Sequence, residues 1–296
     1  MENNPRIPFQ LSSERPRFVP PDGKPLIVHI VVNLEVWPFA EPMPRSIFQT
    51  AHGKPDIPDI PNFSWVEYGL RCGVPRLIRI LGERELPASN FMNAALPDYY
   101  PSCAEAALKA GWEVSGHQIT QRALSYEKDQ EATIAEVMER LTRFAGYPPR
   151  GWLGPGSSET METPDLLRKH GFEYLYEWQF DDLPCWMRTK YGPMIALPYA
   201  LELNDVITFS MHKQTADEWL QRFTYALETF EAELADSPKV LTLSLHPHVA
   251  AIPMRIPILT RILDMLVARD DTICMTGGQI ADWFKDQDPE GLKAVS

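Results

Sequence analysis

Cysteine is scarce in this chain of 296 residues, which has only four, and no two of them are spaced as C-x-x-C. This spacing argues against a thiolate metal site and against a disulfide scaffold. We therefore expect the cysteines to be small apolar packing residues. They are Cys72, Cys103, Cys185 and Cys274.

Long apolar runs and a surplus of positive charge are also missing. The longest apolar runs are strand-sized, such as residues 26–32, so none of them would span a bilayer. Met1 is not followed by the basic region and apolar stretch of a secretory signal. The 28 basic and 40 acidic side chains give a net charge of −12, which disfavours nucleic acid or an anionic membrane surface as a partner. These absences predict a cytoplasmic protein.

Several catalytic motifs do not occur either. A serine nucleophile is conceivable, but the G-x-S-x-G sequence that would present it is absent. Neither H-x-x-x-H nor H-E-x-x-H is found, so no standard pair of zinc-binding histidines is visible. The Gly-rich turn at residues 151–156 lacks the Lys-Ser/Thr of a phosphate-binding loop.

Strand-like and helix-like segments alternate along most of the chain. Short apolar runs predict strands, and apolar residues at helical spacing predict helices between them. This alternation is typical of βα units around a parallel sheet or barrel in one domain. Predicted strands cover residues 26–33, 88–93, 112–115, 150–153, 174–176, 194–197, 206–211, 240–245 and 272–275, and predicted helices cover residues 64–81 with a break at Pro75, 101–110, 129–144, 163–170, 215–234, 257–268 and 278–284.

Two segments lack this periodicity. Residues 1–24 are rich in Pro, Arg and Ser, and predict an extended arm over the body or over a neighbouring subunit. Residues 37–63 are rich in proline and predict a long irregular connection. Connections of that length are usually functional, so we interpret it as a lid over the first strand end, with a passive wrap as the alternative.

Three predicted strands end in an ionisable side chain. His246 follows residues 240–245, Glu35 follows the first strand, and His117 follows Gly116 at the end of the third. The C-terminal ends of strands are where α/β architectures place their chemistry. An ordinary half-buried histidine at a strand end explains any one of them, but three such ends favour a site.

Glu35 is flanked by Val36 and Trp37, so we expect its carboxyl group in a partly apolar mouth. Desolvation there would raise the pKa of Glu35 and make it a usable base near neutral pH. A solvated carboxylate at a strand end is the alternative.

Two loops carry further polar groups. Residues 150–156 run from a strand into a turn around Gly154, which would present backbone N–H groups to an oxyanion or would simply be a tight loop. Asp181 and its neighbour Asp182 cannot both face one site, so at most one of them acts as an acceptor or a general acid/base.

A polar cluster follows the predicted strand at residues 194–197. It begins at Tyr199 and includes Glu202, Asn204 and Asp205. Such a cluster would hydrogen-bond a small heterocycle, although turn structure explains it equally well.

Taken in order, these stretches resemble the polysaccharide deacetylase superfamily over about residues 25–285. Deacetylases of that superfamily carry Asp-Asp after the first strand and H-x-x-x-H after a later one, and these supply a zinc site and a catalytic aspartate. Here Glu35 stands at the catalytic acid, Val36 at the metal-binding aspartate and Gln121 at the second histidine. The matching stretches are the strand ends at Glu35, His117 and His246, the turn at 149–156 and the loop at 181–184.

This pattern is more similar to the metal-independent allantoinases and, more closely still, to the cyclic imide hydrolases (imidases). The resemblance implies an α/β fold, a deformed (β/α) barrel at residues 25–285 with an arm at 1–24 and a tail at 286–296. It also implies a homotetramer or homodimer that hydrolyses a ring C–N bond to a half-amide acid without a cofactor. The shared stretches are residues 61–65, 67–69, 181–186, 197–199 and 280–284.

A cyclic imide suits these residues because a second carbonyl stabilises its departing nitrogen, so activated water can open the ring without a metal. We assign Glu35 as general base on water. His117 and His246 would orient water, stabilise the oxyanion or return a proton to nitrogen. The residues expected to contact the small cyclic imide or amide are Asn33, Trp37, Trp152, Gly154, Asp181, Tyr199 and His248.

Three other functions stay open. A zinc-dependent deacetylase of an N-acetylated sugar would use Glu35, His117 and His246 as metal ligands. An allantoinase would open a related ring. A catalytically inactive barrel would serve as a binding or scaffold protein.

Overall fold

The computed structural model of the protein describes residues 3–45 and 57–295. Within these residues, nine strands form one sheet. They are β1 (Leu26–Leu34), β2 (Ser89–Met92), β3 (Glu113–Gly116), β4 (Gly151–Trp152), β5 (Tyr174–Leu175), β6 (Cys185–Met187), β7 (Met194–Ala196), β8 (Lys239–Leu245) and β9 (Thr272–Cys274).

The sheet has the strand order β6-β7-β5-β4-β3-β2-β1-β8, and β9 pairs with the first residues of β1. Neighbouring strands are parallel except for β6 and β7. The far edges approach each other, since the N–H of Val240 on β8 donates to the carbonyl of Asp182 at 2.9 Å and Asn204 bridges to Ser244. The predicted deformed (β/α) barrel is therefore confirmed.

Helices follow most of the strands and pack outside the sheet. No helix in the described ranges is long and apolar enough to cross a membrane. Residues 286–296, predicted as a tail, contain the last helix. The helices are α1 (Ile60–Tyr68), α2 (Val74–Gly82), α3 (Leu96–Tyr99), α4 (Pro101–Lys109), α5 (Gln130–Ala145), α6 (Thr163–Lys169), α7 (Ala216–Glu233), α8 (Ile256–Val267), α9 (Gly277–Gln287) and α10 (Pro289–Val295).

The central strand β1 is buried along its whole length, as expected of a strand covered on both faces. Val28 and Ile30 lie in the apolar layer between the sheet and the helices. Val31 packs on the other face, among apolar residues inside the barrel. Because side chains alternate along a strand, Asn33 and Glu35 continue the row that faces the interior.

One predicted strand is a helical turn instead. Residues 206–211 were expected to be extended, but Ile207–Met211 is helical. The side-chain oxygen of Asn204 accepts a hydrogen bond from the N–H of Val206 at 2.9 Å, and its carbonyl accepts from the N–H of Thr208 at 3.0 Å. This capping by Asn204 starts a helix where hydrophobicity alone suggested a strand.

The predicted irregular connection is shorter than expected. α1 begins at Ile60 because the carboxylate of Asp59 accepts from the N–H of Asn62 at 3.2 Å and caps the helix. Residues 37–45 are irregular, and residues 46–56 lie outside the described residues. The lid therefore stays a prediction.

The N-terminal arm lies on the body of its own chain. Arg6 forms a buried ion pair with Asp165 at 2.9 Å. Further along the arm, the ring of Phe18 packs edge-on against Trp283 and Phe284 of α9, with centroids 6.0 and 5.9 Å away. These contacts fasten the arm to α6 and α9.

Candidate active site

The C-terminal ends of β1, β3 and β8 bring Glu35, His117 and His246 into one buried cluster. The side chains are almost fully covered, with exposures of 4%, 2% and 7%. Nε2 of His246 lies 3.5 Å from Oε1 of Glu35. The charge of Glu35 also acts on His117, so the three groups share one electrostatic environment.

Asp205 fixes His246 from the side opposite Glu35. Its Oδ1 accepts from Nδ1 of His246 at 2.6 Å, and its Oδ2 accepts from the backbone N–H groups of His246 and Ala250 at 2.7 and 3.1 Å. Burial lowers the pKa of His246, but the carboxylates of Asp205 and Glu35 outweigh burial and raise it to about 9. His246 is therefore an imidazolium at neutral pH.

Sequence reasoning had placed Asp205 in a polar cluster but had not assigned it to the site. The cluster itself was the available signal. The contact between this polar cluster and β8 could not be predicted from the sequence, because the cluster and β8 meet only when the barrel closes.

Glu35 accepts hydrogen bonds on both carboxylate oxygens. Nε1 of Trp37 donates to Oε2 at 2.8 Å, and Nε2 of Gln121 donates to Oε1 at 2.8 Å. Burial raises the pKa of Glu35, but the hydrogen bond and charge of His246 outweigh burial and hold it well below its ordinary value. The expected raised pKa was wrong, because the apolar flanks in the sequence do not reveal this partner. Glu35 and His246 form a buried ion pair.

His117 offers an acceptor to the site. Its Nδ1 is hydrogen-bonded to the carbonyl of Leu153, and because a carbonyl can only accept, this nitrogen carries the proton. Burial lowers the pKa of His117, which keeps the ring neutral. Nε2 of His117 therefore presents a lone pair, and it is buried without a hydrogen-bond partner among the described residues.

His248 lies beside the ion pair in an aromatic environment. Its ring contacts Trp65 and Trp37 edge-on, with centroids 4.6 and 6.0 Å away, and the ring of His246 is at 5.9 Å. Burial lowers the pKa of His248 to about 3, so this ring is neutral. Trp65 was not among the predicted site residues, although it lies in one of the stretches that carried the resemblance.

Gly69 allows the helical segment around α1 to approach this part of the site. A β carbon at Gly69 would lie 2.4 Å from the backbone nitrogen of His248, a distance that no side chain tolerates. We expect Gly69→Ala to lower the free energy of unfolding by about 2 kcal/mol, measured by urea denaturation. Gly82→Ala is the matched control, because a β carbon there meets nothing within 4 Å. Equal stability of the two variants would contradict the predicted contact.

Asn33 and Tyr199 form a polar layer beneath Glu35. Nδ2 of Asn33 donates to Oγ of Ser244 at 3.1 Å and to the carbonyl of Leu245 at 3.3 Å. The hydroxyl of Tyr199 shares a hydrogen bond with the same Oγ at 2.5 Å and accepts from Nδ2 of Asn204 at 3.2 Å. This network connects the end of β1 to the end of β8, and so supports Glu35 and His246 from below.

Three predicted substrate-binding residues lie elsewhere or have other partners. Trp152 is fully buried in the layer between the sheet and the helices, on the face opposite the interior. The N–H of Gly154 donates to the carboxylate of Glu177. Asp181 forms an ion pair with Arg15 of the arm at 3.0 Å. Trp152 therefore does not face the cluster around Glu35, whereas substrate contact by Gly154 and by Asp181 stays a prediction.

In the turn after β4, three N–H groups that could face an oxyanion have acceptors within the protein. The N–H groups of Leu153 and Ser157 donate to the carbonyls of Gly116 and Gly154 at 3.0 and 2.9 Å. With the N–H of Gly154 also occupied, these donors are used within the protein. The imidazolium of His246 is thus the cationic donor of the cluster.

The donor set at the site does not fit a zinc ion. Val36 and Gln121 stand where the resemblance places metal ligands, and the NH₂ group of Gln121 faces Glu35. Nδ1 of His246 is held by Asp205, and its Nε2 faces Glu35. In residues 3–45 and 57–295, no three His, Cys, Asp or Glu side chains are arranged to hold a metal ion.

The chain is similar in sequence to proteins named as deacetylases. The family model described as polysaccharide deacetylase matches residues 63–175. A peptidoglycan deacetylase from Helicobacter pylori is 21% identical, over 81% of this chain and 92% of that protein. A protein described as a putative polysaccharide deacetylase from Schizosaccharomyces pombe is 25% identical, over 76% of this chain and 77% of that protein.

Solved structures share the fold along almost the whole chain. A probable polysaccharide deacetylase from Pseudomonas aeruginosa PAO1 superposes with a TM-score of 0.84 and 23% identity, covering 93% of this chain and 96% of that one. PuuE allantoinase superposes with a TM-score of 0.81 and 23% identity, covering 93% and 95%. The fold is thus common to proteins named as deacetylases and to one named as an allantoinase.

Proposed function

We propose that the protein, whose residues 63–175 match the polysaccharide deacetylase family model, is a hydrolase of small cyclic imides or related cyclic amides. It opens a ring C–N bond and yields a half-amide acid. The observation that carries the proposal is the buried ion pair of Glu35 and His246, which Asp205 orients. This arrangement holds a base and an acid side by side, and its donor set does not fit a metal ion.

The ion pair accounts for each proton in the reaction. Glu35 accepts a proton from water as the water oxygen forms a bond to a ring carbonyl carbon. His246 donates its Nε2 proton to the ring nitrogen as the C–N bond breaks. Glu35 and His246 are 3.5 Å apart, so the proton on Glu35 can return to His246. One water is consumed, and both side chains are restored.

The charge state of Glu35 indicates which bonds can be broken. A carboxylate whose pKa lies well below its ordinary value is a weak base, so it activates water only modestly. The substrate must therefore supply a good leaving group. An imide does so because its second carbonyl stabilises the charge on nitrogen, whereas the amine of a simple amide leaves poorly. This argument favours cyclic imides over N-acetylated sugars.

The allantoinase among the structural neighbours supports ring opening in a second way. Allantoin also contains a ring amide nitrogen flanked by carbonyl groups, so it presents similar chemistry to the same site. An allantoinase is the second candidate function because of this neighbour.

A ring-opening assay on metal-stripped protein tests the proposal. We expect hydrolysis of succinimide or phthalimide at an unchanged rate after chelation, and no release of acetate from N-acetylated sugars. Hydantoin and allantoin in the same panel distinguish an imide preference from the second candidate. Loss of ring opening on chelation, with recovery on adding zinc, would contradict a metal-independent reaction. Failure to open any of these rings would overturn the function itself.

A further inference from the structure

Several buried polar atoms near Glu35 have no hydrogen-bond partner among the described residues, and one of them is the side-chain oxygen of Gln121. Gln121 is 8% exposed, and its Nε2 donates to Oε1 of Glu35 at 2.8 Å. An ionised carboxylate can only accept hydrogen bonds, so the NH₂ group of Gln121 must face Glu35. Its Oε1 is therefore directed away from Glu35, and it has no hydrogen-bond partner among the described residues.

The protein does not supply the missing donor from His117. The side chains of His117 and Gln121 lie close enough to interact. The proton of neutral His117 is on Nδ1, which donates to the carbonyl of Leu153, so Nε2 is a second acceptor and cannot donate to Oε1 of Gln121. Two buried acceptors next to one carboxylate are unfavourable unless donors from bound molecules complete them. The attacking water can supply one of these donors, to His117.

The ring nitrogen of a bound imide would supply the other. Gln121 and His246 both approach Oε1 of Glu35, at 2.8 and 3.5 Å. A ring nitrogen that takes a proton from His246 is therefore next to Gln121. The hydrogen already on that nitrogen can then point at Oε1 of Gln121.

We propose that Gln121 is a specificity-determining residue whose Oε1 accepts the hydrogen of an unsubstituted ring N–H. This inference rests on the proposed function and narrows its substrate class. Rings with a free N–H between carbonyl groups are accepted, and N-alkylated rings are rejected because they leave Gln121 unpaired.

The test compares succinimide with N-methylsuccinimide. We expect wild-type protein to prefer succinimide in kcat/KM by at least about tenfold. In Gln121→Met, which has a similar length but no strong acceptor, we expect the preference to fall to within about threefold. Both reactions use Glu35 as the base, so any effect of the substitution on Glu35 cancels in the ratio of kcat/KM for the two substrates.

Trp37→Phe is the matched control, since it also removes one donor to Glu35 but leaves Gln121 in place. It should slow both substrates and keep their ratio. Equal turnover of the two rings by wild-type protein, or an unchanged ratio in Gln121→Met, would overturn this inference while leaving the proposed function standing.

If wild-type protein opens neither ring, the proposed function fails. Dissociation constants for the same pair, from calorimetry on wild type and Gln121→Met, then test the inference. Tighter binding of succinimide only when Gln121 is present supports it, and equal constants overturn it.

Discussion

Replacing Glu35 with glutamine is expected to lower kcat/KM for succinimide by at least about a hundredfold. The amide of glutamine has nearly the same shape as the carboxylate but cannot take a proton from water. The substitution also removes the negative charge of Glu35, whose Oε1 lies 3.5 Å from Nε2 of His246. Initial rates of ring opening, measured at one pH for both proteins, give the effect.

Glu83→Gln is a suitable control, because Glu83 is half-exposed at the end of α2 and pairs with Arg79 and Arg84, away from the cluster around Glu35. It should match wild-type activity. Circular dichroism of Glu35→Gln checks that the barrel is intact. Near wild-type turnover in a folded Glu35→Gln protein would remove Glu35 from the mechanism.

Replacing Asp205 with asparagine is expected to reduce kcat about a hundredfold and to move the alkaline limb of the pH profile. The carboxylate of Asp205 helps to raise the pKa of His246 to about 9, so the imidazolium is present below that pH and is lost above it. Activity that needs the imidazolium therefore falls as pH rises through about 9. Without the carboxylate, we expect this fall at least about one pH unit lower.

The shift of the alkaline limb also distinguishes titration of the enzyme from titration of the substrate. An imide can lose its own N–H proton at alkaline pH, which would produce a limb in any variant. That limb would be identical in wild type and Asp205→Asn because the substrate is the same. If the alkaline limb of the kcat profile lies at the same pH in wild type and in Asp205→Asn, His246 is not the acid.

Much of the site was readable from the sequence because strand ends are local features. A buried apolar run followed by a polar residue marks Glu35 and His246, and Gly116 marks the end of the strand before His117. Adjacent parallel strands end at the same edge, so these groups were expected together. The alternation on β1 also places Asn33 directly beneath Glu35.

The electrostatics of the site could not be predicted because they depend on partners distant in the chain. Asp205 is 41 residues from His246, and the two meet only where β8 closes the barrel. The pKa of Glu35 was expected to rise by desolvation, and the contact with His246 reverses that direction. The residues next to Glu35 in the sequence indicate neither His246 nor Asp205 as a partner.

A sequence does not show which face a side chain occupies or which partner a polar group finds, and three expected substrate contacts illustrate this. Gly154 lies in a turn of the expected type, but Glu177 occupies its N–H. Asp181 has the expected chemistry, but Arg15 of the arm neutralises it. Trp152 has the expected size, but β4 is too short for its alternation to reveal which face it occupies.

We infer that His246 is an imidazolium held between two carboxylates, poised to protonate the leaving nitrogen. Nitrogen-15 NMR of histidine-labelled protein, with His246 assigned through His246→Gln, measures its charge directly. We predict that both ring nitrogens of His246 are protonated at pH 7 and that the ring titrates near pH 9. A neutral His246 ring at pH 7 would contradict the account.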